Sequence, residues 1–274
     1  MHTNTIIAGA LGVLLAAGQT RAGDTLVLDG STTVGPIAKA FAEFYMAREK
    51  GVNITVSESG SGNGAKALLN GACDIACLSR AMKESEIKAA AEKGVEPVQH
   101  VVAFDGLPVL VHPSNPVKGL TRKQIADIYT GAIANWKEVG GPDLAIVVIS
   151  RDTNSGTYET FKELVFSKDD KIQTGAEYTG SNGGIRQRVQ STRGAIGYAG
   201  LGFVDQTVKA LEVDGVAPSV ETVVDGSYPL SRKLFMYTNG QPATDSHTAK
   251  FLGLARHPKG REIVEEIGFV PLQD

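Results

Sequence analysis

The chain has 274 residues, with 27 Lys+Arg against 30 Asp+Glu and a net charge of −3. Its 42% hydrophobic and 21% charged content excludes a disordered or fibrous chain, and the length allows about two domains with a core in each. The slight negative charge and 6% aromatic content argue against nucleic acid or an anionic membrane as partner, and against a stacking platform for sugars or bases.

Residues 6–18 form one apolar run of 13 residues, shorter than the ~20 needed to cross a bilayer. The run suits the core of a secretory signal with small residues near Ala22, although residues 1–5 carry no Lys or Arg. A cleaved signal peptide over 1–22 and an exported, periplasmic chain are therefore expected. No cysteine stands at the end of the run, so lipid attachment at a signal cysteine is not expected.

Three times the sequence then runs strand, Gly/Ser/Thr loop, helix. Residues 25–29 (TLVLD) lead through Gly30-Ser-Thr-Thr-Val-Gly35 into a helix that opens at Pro36 and runs to Arg48. Asn53–Ser57 leads through a loop containing Ser59, Gly60, Ser61, Gly62 and Gly64 into a helix near Ala65. Residues 145–150 lead through Arg151-Asp-Thr-Asn-Ser-Gly-Thr157 into a helix over 158–166. Further strands are expected at 74–78, 101–111, 195–198 and 229–238, and helices at 121–130, 245–256 and 258–266. Thr121 and Gln124 have the spacing of a capping box. Apolar β-branched runs alternating with helical periods predict an α/β fold with largely parallel sheets. Cys73 and Cys77, flanking an extended segment, are too far apart to bridge and read as small buried residues.

A helix N-terminus offers free N–H groups and about half a positive charge. Beside Gly-rich turns and hydroxyls it suits an anion, and in open α/β sheets ligands sit at the carboxyl ends of the strands. Any one such loop is equally an ordinary cap. Three in one chain, the third carrying the planar donor fork of Arg151, point to an oxyanion. The loops lack a Walker ending and a nucleophile elbow, and the five histidines show no metal-ligand spacing. Donors without a base, metal or cofactor describe a binding protein and not an enzyme.

Gly30-Ser-Thr-Thr-Val-Gly-Pro36, Ser59-Gly-Ser-Gly-Asn-Gly64, Asp74-Ile-Ala-Cys-Leu-Ser-Arg80 and Ser150-Arg-Asp-Thr-Asn-Ser-Gly-Thr157 together resemble the phosphate-binding proteins of bacterial phosphate ABC transporters. Ala195-Ile-Gly-Tyr-Ala-Gly200 and Gly268-Phe-Val-Pro-Leu272 extend the likeness along the chain. The resemblance implies a two-lobed type II binding-protein architecture with two crossover strands, lobe I from 24–106 plus 229–274 and lobe II from 107–228. It implies a monomer that holds inorganic phosphate and hands it to a membrane permease. Its phosphate donors fall on Thr32, Thr33, Ser61, Arg151, Ser155, Gly156 and Thr157.

One position departs from the family. Many members carry a proton-accepting aspartate where this chain has Arg80, and that acceptor is what separates phosphate from sulfate. Asp105 is the best substitute, with Asp74 behind it, and Arg80 either reaches the anion or pairs with a carboxylate. Other tetrahedral oxyanions (sulfate, molybdate, tungstate) and, further off, a phosphatase on the same scaffold are the alternative readings.

Overall fold

The computed structural model describes residues 25–273, so the expected signal peptide lies outside the described residues. From the first described residue the chain alternates strand and helix: β1 (Thr25–Gly30), α1 (Gly35–Arg48), β2 (Asn53–Ser57), α2 (Ser61–Leu69), β3 (Ile75–Leu78), α3 (Glu84–Glu92) and β4 (Pro97–Gly106). A second run follows: β5 (Val109–Val111), β6 (Gly119–Leu120), α4 (Arg122–Thr130), β7 (Val147–Arg151), α5 (Gly156–Val165), β8 (Glu177–Thr179), α6 (Asn182–Gln190), β9 (Ala195–Tyr198), β10 (Lys209–Val213) and the short α7 (Val220–Val224). The chain then returns with β11 (Ser231–Asn239), α8 (His247–Gly253) and α9 (Pro258–Glu266).

These strands make two sheets, ordered β2-β1-β3-β11-β4 and β6-β10-β5-β9-β7-β8. Alternation along each strand sends neighbouring side chains to opposite faces, and each sheet is covered on both. Ile75 and Cys77 join a core with α1, α8 and α9, whereas Ala76 and Leu78 join one with α2 and α3. Val109 and Val111 pack with Ile125, Tyr129, Trp136 and Phe161; Leu110 packs with Ile185 and Val189 of α6.

The sheets are mixed and not largely parallel. β1 pairs parallel with β2 and β3, and β7 pairs parallel with β8 and β9. The antiparallel members are β11 on β3 and β4, and β5 on β9 and β10. β4, β5 and β11 are the segments through which the chain passes between sheets. For the same reason residues 101–111 are two strands: β4 ends at Gly106, and Leu107-Pro108 carries the chain to the second sheet. Proline lacks the N–H that a continuing ladder would need. Ser246 caps α8, which shortens the expected 245–256 helix to His247–Gly253. The Thr121 capping box is present, with Thr121 Oγ1 accepting from the Gln124 amide at 3.1 Å. Cys73 and Cys77 are buried with free thiols. No helix among the described residues is long and apolar enough to cross a membrane.

Candidate functional site

Three strand-to-helix turns meet where the sheets face each other. After β1, Ser31 Oγ accepts from the amides of Thr33 (3.1 Å) and Val34 (3.3 Å), a local turn that fixes the buried Thr32 and Thr33. Before α2, Gly60 adopts φ 99°, a conformation a side chain disfavours. The helix consequently opens at Ser61 and not at Ala65 as periodicity alone suggests. Ser61 is buried, and its Oγ accepts from the Ser79 amide at 3.1 Å. After β7, Ser155 caps α5 by accepting from the amides of Thr157 (3.2 Å) and Tyr158 (3.3 Å). Each helix leaves its first amides outside its own ladder, with the positive end of its dipole beside them.

The turns touch across the gap between the sheets. Thr33 Oγ1 and Thr157 Oγ1 are 3.0 Å apart, and the Gly62 amide donates to the Asn154 carbonyl at 3.0 Å. At the rim, Lys83 Nζ bonds Glu159 Oε1 at 2.9 Å. A fourth helix start joins them: Ser181 caps α6, and the buried Asn182 donates through Nδ2 to Thr32 Oγ1 (3.1 Å) and Thr33 Oγ1 (2.9 Å). The Gly200 amide donates to Asn182 Oδ1 at 3.3 Å, which sets the orientation of the carboxamide.

Arg151, the last residue of β7, is only 1% exposed. Its amide donates to the Tyr198 hydroxyl (3.2 Å), whose ring stacks on Phe161 with centroids 3.8 Å apart. Nε and Nη2 donate to the carbonyls of Thr179 (3.3 Å) and Gly180 (3.0 Å), while Nη1 is buried with no partner among the described residues. Burial pushes the Arg151 pKa down to about 10, against Asp152 and Tyr198, with the nearby Arg232 guanidinium adding to the depression.

Asp105, fully buried in β4, belongs to the same cluster but is already engaged. Arg232 Nε and Nη2 both donate to its Oδ2, at 2.9 and 2.7 Å, and the Leu201 amide donates to Oδ1 at 2.8 Å. Burial pushes the Asp105 pKa up, and Arg232 and the Leu201 amide oppose it. Arg80 pairs bidentately with Glu86, Nη1 to Oε2 at 2.8 Å and Nη2 to Oε1 at 2.7 Å. Asp74 is exposed and accepts from the Val27 amide at 2.8 Å, a strand-edge role away from the turns.

Comparison with known proteins places the chain in a family. Residues 15–254 match the model of the PBP superfamily domain. Protein SphX of Synechococcus elongatus is 37% identical over 89% of this chain and 76% of its own length. Phosphate-binding protein PstS of Borreliella burgdorferi is 31% identical over 90% of this chain and 89% of its own. The chain belongs to the PstS-like branch of the PBP superfamily. Among solved structures, a putative phosphate ABC transporter substrate-binding protein with bound phosphate from Clostridium perfringens aligns with a TM-score of 0.83 at 35% identity, covering 91% of this chain and all of that one. An ABC-type phosphate transport receptor from Vibrio cholerae aligns with a TM-score of 0.74 at 31% identity, covering 90% of this chain and all of that one. The two-sheet α/β architecture expected from sequence is the fold of this family.

Thr32, Thr33, Ser61, Ser155, Gly156 and Thr157 thus come together from three turns, with Arg151 beside them and Asp105 linked to Thr33 and Thr157 through Arg232. Two members of the cluster escape sequence reasoning, Asn182 and Arg232. Asn182 had a signal, the run Thr179-Gly-Ser-Asn-Gly-Gly184 with a serine cap, hidden by the three-residue strand before it. Arg232 had none, since its carboxylate partner lies 127 residues away.

Proposed function

We propose that this protein binds inorganic phosphate and delivers it to the membrane permease of a phosphate ABC transporter, acting in the periplasm as a monomer and catalysing no reaction. Residues 24–106 with 229–274 form one lobe and 107–228 the other, and they close on the anion. Thr32, Thr33 and Ser61 face the anion from the first lobe; Arg151, Ser155, Gly156 and Thr157 face it from the second, with Asp105 at the base of the cluster.

The observation that carries this reading is the buried Arg151, whose Nη1 has no partner among the described residues. A buried donor left unmatched is costly, and a buried charge without a counterion more so. An oxyanion against Nη1 and the helix N-termini supplies both. Micromolar affinity needs about 8 kcal/mol, and a hydrogen bond to a charged group contributes about 1.5–3 kcal/mol. Six to eight such donors exceed that requirement and leave a margin for closure and desolvation. The names of the relatives, phosphate-binding proteins and phosphate transport receptors, point to the same ligand. The hydroxyls of the cluster bond to one another and to nitrogens that only donate, an arrangement suited to holding an anion and not to activating a nucleophile.

Calorimetric titration of the chain, stripped of ligand by unfolding and refolding, tests this. One-to-one binding of phosphate at micromolar or lower concentration is expected, with sulfate weaker. No heat with phosphate from a folded sample contradicts the reading.

A further inference from the structure

We propose that Arg232 is a second cation of the anion site, acting on the ligand through its charge and the hydroxyls it orients, and that Asp105 is the residue that positions it. The inference rests on the phosphate reading above and adds to it a residue that the sequence motifs do not contain.

The antiparallel register of β4 and β11 sets Arg232 directly opposite Asp105, at the ends of the strands through which the chain crosses between the sheets. Both side chains are buried, 4% and 0% exposed. One edge of the guanidinium is fixed, with Nε and Nη2 on Asp105 Oδ2, while the Leu201 amide holds Oδ1. The remaining contacts leave the pair and enter the cluster. Nη1 donates to Thr157 Oγ1 at 3.0 Å and to the Ser79 carbonyl at 3.3 Å, and Nη2 reaches Thr33 Oγ1 at 3.4 Å. A single planar group therefore touches the first and third turns at once, on the two hydroxyls that face each other across the gap.

These contacts set the polarity of the hydroxyls. Guanidinium and carboxamide nitrogens only donate, and a hydroxyl has two acceptor sites and one proton. Thr33 Oγ1 accepts from Asn182 Nδ2 and from Arg232 Nη2, so its proton goes to Thr157 Oγ1, 3.0 Å away. Thr157 Oγ1 then accepts from Thr33 and from Arg232 Nη1, and its own proton is left to donate to an anion. Arg232 thus acts on the ligand through its charge and through the hydroxyls it orients.

The charge balance agrees. Arg151 and Arg232 are two buried cations, and among the described residues Asp105 is the one carboxylate bonded to either of them. Within the buried cluster this leaves one positive charge in excess, which Asp152 offsets only from the less buried rim, and an uncompensated buried charge is costly. The two cations are close enough that Arg232 contributes to depressing the Arg151 pKa. A dianionic ligand between them reverses that repulsion. If the Asp105–Arg232 pair served folding alone, nothing would require its outer edge to end on Thr33 and Thr157. Asp105, with Oδ2 bridged by two guanidinium nitrogens, is an anchor and not a free proton acceptor.

The test is a calorimetric series on the full chain with phosphate and sulfate. Removing Arg232 alone would leave Asp105 buried and unpaired, so the informative variant is the double Asp105→Asn/Arg232→Met, which removes both charges. Its phosphate affinity should fall by about tenfold or more, and its affinity should rise less steeply than that of the wild type as pH crosses the second ionisation of phosphate. Wild-type affinity and pH profile in the folded double variant would overturn the proposal. Should that variant not fold, Arg232→Lys keeps a cation beside Asp105 but cannot span the carboxylate and both hydroxyls; phosphate affinity equal to wild type there would overturn it as well. Asp105→Asn alone should weaken phosphate and sulfate together. A selective gain for sulfate would make Asp105 the proton acceptor and overturn its positioning role. The wild type is the control that separates the two readings: if it binds no phosphate, the phosphate function fails, whereas a binding wild type with unaffected variants removes Arg232 alone.

Discussion

Arg151→Met keeps the length and bulk of a residue that is 1% exposed while deleting its charge. Two of the three guanidinium nitrogens already bond the Thr179 and Gly180 carbonyls, so Nη1 is the nitrogen left wholly for a ligand, with at least one hydrogen bond to give. A single hydrogen bond to a charged group is worth about 1.5–3 kcal/mol, and tenfold in affinity corresponds to about 1.4 kcal/mol. Phosphate binding should therefore weaken by about 10- to 150-fold. The ligand-free protein behaves differently. Deleting a buried cation without a paired carboxylate relieves a desolvation cost, which offsets the donors lost by the two carbonyls. The free variant should melt near the wild type, while the rise in Tm produced by phosphate should shrink in step with the weaker affinity. Arg151→Lys should fall between the two, because an ammonium cannot reach both carbonyls and the anion in one plane. Calorimetry with phosphate, paired with melting curves at fixed ligand, reads both effects. A dissociation constant within twofold of wild type in a folded Arg151→Met variant would refute the reasoning.

Three further outcomes follow from the same geometry. In Gly156→Ala the new Cβ would press on Ser61 Oγ and lie 2.6 Å from Ser79 Oγ, so the turns could not approach; phosphate affinity should drop at least tenfold with the circular dichroism spectrum unchanged, and full affinity would show that the turns need not meet. Burial works to raise the Glu86 pKa, but hydrogen bonds from Arg80 and the Lys83 amide hold it below the usual carboxylate range. A folded value below the unfolded one means that the pair's stabilisation is full above the unfolded pKa and is lost as pH falls through the folded one; Glu86→Gln should flatten this acid-side fall in denaturant titrations, and an unchanged slope would contradict it. Because the turns meet across the gap and Lys83 joins Glu159 at the rim, phosphate should reduce the radius of gyration in small-angle scattering, and identical profiles with and without ligand would argue against closure.

The three turns were readable in the chain because each is local. A β-branched strand, a Gly/Ser/Thr loop and a helix with its cap lie within about 20 residues of one another, and their propensities agree. The signal weakened wherever structure depends on distant partners. Residues 101–111 look like one apolar strand, and only the transfer of the chain between two sheets divides them at Leu107-Pro108. The antiparallel placement of β11 between β3 and β4 depends on pairing across more than a hundred residues, so alternation alone suggested parallel sheets. The site divides in the same way. Thr32, Thr33, Ser61, Ser155, Gly156 and Thr157 are cap and turn residues with local signatures. Arg232 sits in a strand reading Ser-Arg-Lys-Leu-Phe, where an arginine suggests a solvated edge until Asp105 is placed opposite it. Arg80 shows the converse: its motif position pointed toward the ligand, but Glu86, six residues on, satisfies its terminal nitrogens.

A crystal structure of the chain with phosphate tests the central claim most directly. The account predicts one phosphate between the two sheets, within hydrogen-bond distance of Arg151 Nη1 and of donors at Ser61 and Ser155–Thr157, the Thr157 hydroxyl among them. Phosphate bound elsewhere, or at this place with Arg151 Nη1 turned away from it, would contradict the account.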